Sequence, residues 1–203
     1  MREAWMPSPC TCGTDGPAAG PSIDCLAHGS RLGEGRAPNA EAADPDGFAV
    51  FGRYPKGFLA HVIKREFLGR GVRRDDILHV CSGTLGPEEK WTVDLRQEAR
   101  PLVVAEGTAL PFRDASFRAV MLDPPYSDEY ARNLYRTGMP RNSWLLREAA
   151  RVIVPCGRIG ILHVAVPFSP PGCRLVTVYG ISIGVGFRIR AFTLYEREQA
   201  SLP

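Results

Sequence analysis

The run Ala119-Val120-Met121-Leu122-Asp123-Pro124-Pro125-Tyr126 decides the fold. Its first four residues are apolar and predict a short buried strand. The two prolines cannot donate to a ladder, so the strand must stop where they begin. A rigid turn at a strand's C-terminal end is where open α/β sheets place their ligand chemistry. This turn offers the Asp123 carboxylate, proline-flanked carbonyls and the aromatic face of Tyr126. Those groups suit an exocyclic amino group on a flat heterocycle. The carboxylate and a carbonyl accept its N–H bonds, and the tyrosine stacks on its ring.

Working outward, apolar runs predict strands over 77–81, 91–95 and 102–105 upstream, and over 159–164 downstream. A final pair is predicted over 175–183 and 187–196, joined by Gly184-Val185-Gly186. One helix is predicted over 57–68, where Leu59, Val62, Ile63, Phe67 and Leu68 fall near helical spacing. A second is predicted over 143–153, capped by Asn142 or Ser143 and followed by Pro155. Strand–helix alternation ending in a hairpin argues for an α/β fold with a parallel sheet and an antiparallel edge. Only about nine residues separate the first two strands and about seven the next two. A parallel crossover normally takes about a dozen. The first crossovers are therefore predicted to be loops, not helices.

The chain has 203 residues, of which 44% are hydrophobic, and carries a net charge of +3. That size allows one core domain and a small appendage. No apolar run approaches the ~20 residues of a membrane span. The N-terminus lacks the apolar core of a signal peptide, so a cytoplasmic location without a membrane partner is expected. Arginine supplies 22 of the 25 basic residues, and arginine suits phosphates and base edges better than lysine. Arg65, Arg70, Arg73 and Arg74 cluster before the first strand. Arg132, Arg136 and Arg141 follow the Asp-Pro-Pro-Tyr turn and are the better candidates for nucleic-acid contact.

Residues 1–28 hold Cys10, Cys12, Cys25 and His28, three thiols and an imidazole that suit a tetrahedral structural zinc ion. Residues 29–47 are rich in Gly, Ala, Pro and Asp and read as a linker. The folded domain is predicted over 48–203. Without a secretion signal the remaining cysteines, Cys81, Cys156 and Cys173, are expected to be buried thiols rather than disulfides. His61, His79 and His163 sit in helix or strand contexts and read as structural.

Four segments in order carry a family likeness. His79-Val80-Cys81-Ser82-Gly83-Thr84-Leu85-Gly86 resembles a cofactor-holding glycine loop. Glu106-Gly107-Thr108-Ala109-Leu110-Pro111-Phe112 and its continuation to Phe117 resemble the stretch between third and fourth strands. The Asp-Pro-Pro-Tyr turn follows, and then the helix and Pro155-Cys156-Gly157 turn before the fifth strand. Over roughly 48–196 the chain thus resembles the class I S-adenosylmethionine-dependent methyltransferases of the DNA amino-methylase type.

The resemblance implies a Rossmann-like sheet with a C-terminal antiparallel hairpin and S-adenosylmethionine as cofactor. It implies cofactor contacts from Cys81, Ser82 and Gly83, from Asp94 to the ribose, and from Glu106 and Gly107 to the adenine. Tyr54 and Lys56 would close over the methionine end, and Asp123 would border the cofactor as well. Asp123, Pro124, Pro125 and Tyr126 would form the catalytic turn, acting on adenine N6 or cytosine N4 of DNA in preference to RNA. Only about sixteen residues lie between Tyr126 and Ser143. Sequence specificity would then be minimal, or come from a protein partner or the N-terminal segment. An RNA base methyltransferase is the alternative enzyme, and a degenerate methylase fold that only binds nucleic acid or a partner is the non-enzyme one.

Overall fold

The structure, a computed structural model, describes residues 41–43, 49–50, 54–55, 57–132, 138–182 and 189–199. Strand β1, Glu41–Ala43, lies within the stretch read as a linker and pairs antiparallel with β2, Ala49–Val50. The main sheet has seven strands: β3 (Ile77–Val80), β4 (Trp91–Asp94), β5 (Val103–Val104), β6 (Phe117–Leu122), β7 (Ile153–His163), β8 (Cys173–Ile181) and β9 (Arg190–Arg197). They lie in the order β5-β4-β3-β6-β7-β9-β8. The first five pair in parallel, while β9 runs antiparallel to both β7 and β8. Counted from β3, the order begins 3-2-1-4-5, as in doubly wound dinucleotide-binding sheets, and reverses between β3 and β6. This is the Rossmann-like sheet with an antiparallel C-terminal hairpin that the sequence predicts.

Two helices cover the two faces. The first begins as α1, Phe58–Val62, widens into a π-helical turn over Ile63–Phe67 and tightens over Leu68–Arg70. Its Phe58, Val62, Ile63 and Phe67 pack on Ile77, Ala119, Met121, Leu162, Phe192 and Leu194. After the short α2, Asp128–Tyr130, comes α3, Asn142–Val152, whose Leu145, Leu146, Ala149 and Val152 pack on Leu78, Val80, Val120, Leu122, Ile159 and Ile161. Successive strand residues point to opposite faces. With both faces covered, β3 and β6 must be apolar almost throughout, which is why their runs were legible. No helix among the described residues is long and apolar enough to cross a membrane.

The crossovers from β3 to β4 and from β4 to β5 contain no α-helix, only a single 3-10 turn at Gln97–Ala99. The predicted shortening is therefore present. Two boundaries differ from expectation. Arg141, not Asn142 or Ser143, caps α3, and no side chain completes the cap. Strand β7 starts at Ile153, directly from α3, and absorbs Pro155 and Gly157 across a register shift opposite Phe117 and Ala119. Farther along, a Cβ at Gly160 would lie 2.4 Å from the Phe192 ring, so only glycine lets β7 pass beneath it. Cys81 and Cys173 are free thiols as expected, but Cys156 is disulfide-bonded.

A buried ion network joins the hairpin to the first helix. Glu196 accepts from Arg158 Nε at 3.1 Å, Arg174 Nη2 at 2.5 Å and Arg70 Nη2 at 3.3 Å. Arg158 also reaches Glu66 at 2.8 Å, and the Tyr179 hydroxyl donates to Glu66. Burial would raise the Glu196 carboxyl, but the Arg158 and Arg174 guanidiniums hold it below its usual range. The upstream arginines each find a carboxylate: Arg70 on Glu196 and Arg74 on Glu89, both buried, Arg65 on Glu66, and Arg73 on Asp75 at the surface.

Candidate active site

The glycine loop starts where β3 ends. Cys81 adopts φ +53°, in the left-handed region that costs a non-glycine residue about 1–2 kcal/mol. Strain of this kind persists only where surrounding bonds hold it, and here they are visible. Ser82 N donates to Val93 O at 3.1 Å, and Gly83 N donates to Asp94 Oδ2 at 2.8 Å. Arg96 N donates to Asp94 Oδ1 at 2.9 Å. Asp94, 2% exposed, thus pins the end of β4 to the loop after β3. Burial pushes its carboxyl up, against the pull of the backbone N–H bonds from Arg96 and Gly83. A third backbone bond, from Leu95, lowers it as well, and part of the acceptor capacity is left for an outside donor.

Asp94 opens onto a cavity of about 320 Å³ at the C-terminal edge of the sheet. Cys81, Glu106, Gly107 and Pro125 share its wall, so five of the predicted site residues come together. Leu95 and Thr108 continue that wall, and Met139, Pro140, Arg141, Trp144 and Leu145 face it from the other segment. Gly107 sets the cavity's depth: a Cβ there would stand 2.7 Å from Val80 Cγ1 and 2.8 Å from Leu145 Cδ2. The Glu106 carboxylate is exposed and accepts from Thr108 Oγ1 at 3.3 Å. Burial raises the Cys81 thiol far above its ordinary range, so it is a neutral wall group and no nucleophile.

Other predicted residues fall elsewhere. Ser82 is buried beneath the loop, and Gly83 lines a separate cleft with Leu85, Gly86 and Thr92. Tyr54 lines a third cleft with Pro55, Gly57 and Leu85. Its hydroxyl is buried without a hydrogen-bond partner. Burial raises the Tyr54 phenol well above its ordinary range, and the nearby Asp123 charge adds to the rise. Lys56 and Arg136 lie outside the described residues, as do Cys10, Cys12, Cys25 and His28. Among the described residues no three His, Cys, Asp or Glu side chains are placed to hold a metal ion. His79 is wholly buried beside Glu89, its Nε2 3.1 Å from Oε2, and Arg74 pairs with the same carboxylate. That is a structural role, as expected.

Next to Pro125 stands a second group of side chains. Asp123 ends β6, its N–H donating to Val80 O at 3.3 Å. The Tyr126 hydroxyl donates to Asp123 Oδ1 at 2.5 Å. The Arg190 guanidinium lies 5.0 Å from the Tyr126 ring centre, and His163 meets the ring edge-on at 5.8 Å. Burial pushes the Asp123 carboxyl up to about 6, while the Tyr126 hydrogen bond and the Arg190 charge pull it back. Burial and the Asp123 charge raise the Tyr126 phenol, so it stays a donor. His163 Nδ1 accepts from Ala165 N at 3.3 Å, and burial lowers its pKa, so the ring is neutral. Sequence reading missed Arg190, His163 and Trp144. Arg190 meets Tyr126 because β9 inserts beside β7, and His163 because β7 pairs with β6; no local pattern announces either.

No family model matches the sequence, and no curated protein does. Solved structures do show likeness. TrmN from Thermus thermophilus aligns at 21% identity with a TM-score of 0.42, covering 60% of this chain and 43% of that one. The chain therefore spans less than half the length of TrmN. YhhF from Escherichia coli aligns at 14% identity and a TM-score of 0.48, over 74% of this chain and 91% of that one. An rRNA methylase from Streptococcus thermophilus aligns at 10% identity and 0.44, over 68% and 95%. Likeness at this level carries no argument about activity, which must come from the site itself.

Proposed function

We propose that the chain transfers a methyl group from S-adenosylmethionine to an exocyclic amino group of a nucleic-acid base. One observation carries this reading. The Asp-Pro-Pro-Tyr turn sets Pro125 in the wall of the Asp94 cavity and pairs the Asp123 carboxyl with the Tyr126 hydroxyl next to it. A donor and an acceptor bound on its two sides would meet at the turn.

The residues present fit that cofactor. The cavity's volume is at the lower end of small-ligand sites. The free lone pairs of Asp94 would accept from the ribose hydroxyls, and Glu106 would accept from the adenine amine. Cys81 would border the methionine part, while Ser82 and Gly83 hold the loop behind it through Val93 and Asp94; Tyr54 and Lys56 closing over the end would need the third cleft to be continuous with this cavity. The cofactor supplies an already activated methyl group, so placement of the acceptor accounts for most of the rate.

Asp123 Oδ2 and the Pro124 carbonyl would accept the two N–H bonds of the target amine and draw its lone pair out of ring conjugation. A carboxyl near 6 is ionised at neutral pH and can take the proton released on transfer. Tyr126 keeps Oδ1 engaged and orients the carboxylate. Its ring would stack on the base, which must leave a duplex to reach it.

Adenine N6 of DNA is the first acceptor by resemblance and cytosine N4 the second. An RNA base is favoured by one feature, the exposed Trp144 with Arg141 beside it at the cavity mouth, since unpaired nucleotides are read by stacking. In the fully reduced chain, with the Cys156 disulfide open, a structural zinc ion on Cys10, Cys12, Cys25 and His28 and a partner that supplies sequence specificity complete the proposal. Metal analysis of protein purified without chelators tests the zinc.

Calorimetry with S-adenosylmethionine followed by tritiated-methyl transfer to DNA and RNA pools, with nucleoside analysis, tests the activity. Methylated amino bases are the expected product. A chain that does not bind the cofactor is a binding module instead.

A further inference from the structure

We infer that the outer face of α3 is a track for single-stranded nucleic acid, leading away from the cavity mouth. Trp144 stacks a base there, and Arg141 and Arg147 hold phosphates. The inference rests on the proposed methyl transfer to a base, and it names the form in which the polynucleotide arrives.

The helix divides cleanly. Leu145, Leu146, Ala149 and Val152 face the core. Trp144, Arg147 and Arg151 recur at i, i+3 and i+7, the spacing of one outward stripe. Trp144 is 54% exposed, although tryptophan is seldom left so open without a partner to cover it. The Arg141 guanidinium sits 5.4 Å from its ring centre. Among the described residues, neither Arg141 nor Arg147 pairs with a carboxylate.

Arg151 shows the contrast. All five of its N–H donors are engaged, on Glu148 at 3.0 and 2.8 Å, Asp114 at 2.8 Å, Phe112 O at 2.7 Å and Leu110 O at 2.9 Å. It clamps α3 to the loop before β6, and with Arg141, Arg147 and Arg197 it sets four guanidiniums against the carboxylates of Glu148, Asp114 and Glu198. What remains is net positive charge interleaved with an aromatic ring. Positive charge tracks a backbone and an aromatic face takes any base, which is the chemistry of single-strand binding.

The stripe is also placed for it. Arg141 and Trp144 belong to the cavity wall at one end, and Arg147 lines an outer cleft with Arg197 near the other. An 11-residue helix is roughly 16 Å long, enough for a few nucleotides of unpaired strand. A duplex would present its bases to each other instead of to Trp144. An acidic peptide would use the arginines but not the indole.

The test uses the full chain and two fluorescein-labelled probes of equal length, an unstructured oligouridylate and a duplex, read by anisotropy. The parent is expected to bind the single strand more tightly than the duplex. Trp144→Leu should weaken single-strand binding roughly tenfold or more. Arg147→Gln should lower the slope of log affinity against log salt by about 0.7 and leave S-adenosylmethionine affinity unchanged. Both sites are exposed, so melting temperatures should match the parent. Unchanged oligonucleotide affinity in Trp144→Leu overturns the track. So does a loss confined to S-adenosylmethionine affinity, which would make Trp144 a wall of the cofactor cavity. Trp144-dependent strand binding in a chain that fails to bind S-adenosylmethionine would sink the methyl-transfer reading and leave the track standing.

Discussion

The two sides of the Asp-Pro-Pro-Tyr turn are built on opposite principles. Toward β3, β4 and β5 the molecule is open. Loops replace crossover helices, a cavity remains, and Asp94 is held by backbone amides that leave lone pairs to spare. Toward β7 and β9 the side chains have found each other: Tyr126 on Asp123, Arg190 over Tyr126, His163 against its edge. The donor side can receive a ligand without breaking a bond within the protein. The acceptor side must trade internal contacts for substrate contacts. Under the proposed function, binding and transfer are expected to be separable, and substitutions should divide them.

Asp123→Ala should produce the largest effect. It removes the group that would position the amine, and misplacement at a reacting centre costs about 10²-fold or more. Affinity for S-adenosylmethionine should stay within a few-fold of the parent, because Asp94 and Gly107 are untouched. Single-turnover transfer and calorimetry on the same preparation measure both. Parent-like transfer would remove Asp123 from catalysis. A joint loss of binding and transfer would erase the distinction between the two sides.

Asp94→Ala should do the reverse. Loss of a charge-assisted bidentate acceptor costs about 1.5–3 kcal/mol of cofactor affinity. The Gly83 and Arg96 amides also lose their partner, so some thermal stability goes with it. An unchanged dissociation constant would mean the ribose is held elsewhere. Gly107→Ala probes the same side by volume. The added methyl meets Val80 and Leu145 at under 3 Å, and overpacking of that kind costs about 1–3 kcal/mol. Its effect should appear in cofactor affinity and melting temperature, with transfer at saturating cofactor little changed.

How much of this was legible in the sequence depended on whether the signal was local. Apolar runs such as Ile77–Val80 and Ala119–Leu122 announced the sheet because both faces are covered. The lack of room for crossover helices followed from counting residues. Strand β7 was placed too late because Pro155 and Gly157 read as a turn, whereas a register shift absorbs them. The cavity residues Asp94, Glu106 and Gly107 were legible because each ends or follows a parallel strand, and parallel strands bring those ends together. Arg190 was not, since its place beside Tyr126 depends on β9 running antiparallel between β7 and β8. The arginine-rich composition was ambiguous for the same reason. Arg70, Arg74 and Arg158 are bound to buried carboxylates, while Arg141 and Arg147 have none among the described residues, and sequence separation distinguishes neither group.

The smallest predicted effect probes the closed side most finely. The Asp123 carboxyl is raised to about 6, from an ordinary value of about 3.9. Transfer needs the ionised form, so the rate at saturating cofactor should fall as pH drops through about 6. Stability runs the other way. The native state holds this proton more tightly than the unfolded chain, so Asp123's contribution is fully present below about 4 and is lost as pH rises through about 6. The fold therefore gives up stability to keep a charged acceptor at neutral pH. Tyr126→Phe removes the hydroxyl that donates to Oδ1, a bond that lowers the carboxyl. The acidic limb of the pH–rate profile should then move to higher pH. The ring remains to stack, so the rate above the limb should fall by less than about tenfold, and cofactor affinity should not change. A limb that stays in place would show that Asp123 does not govern it. A large drop in cofactor affinity would show that Tyr126 belongs to the open side.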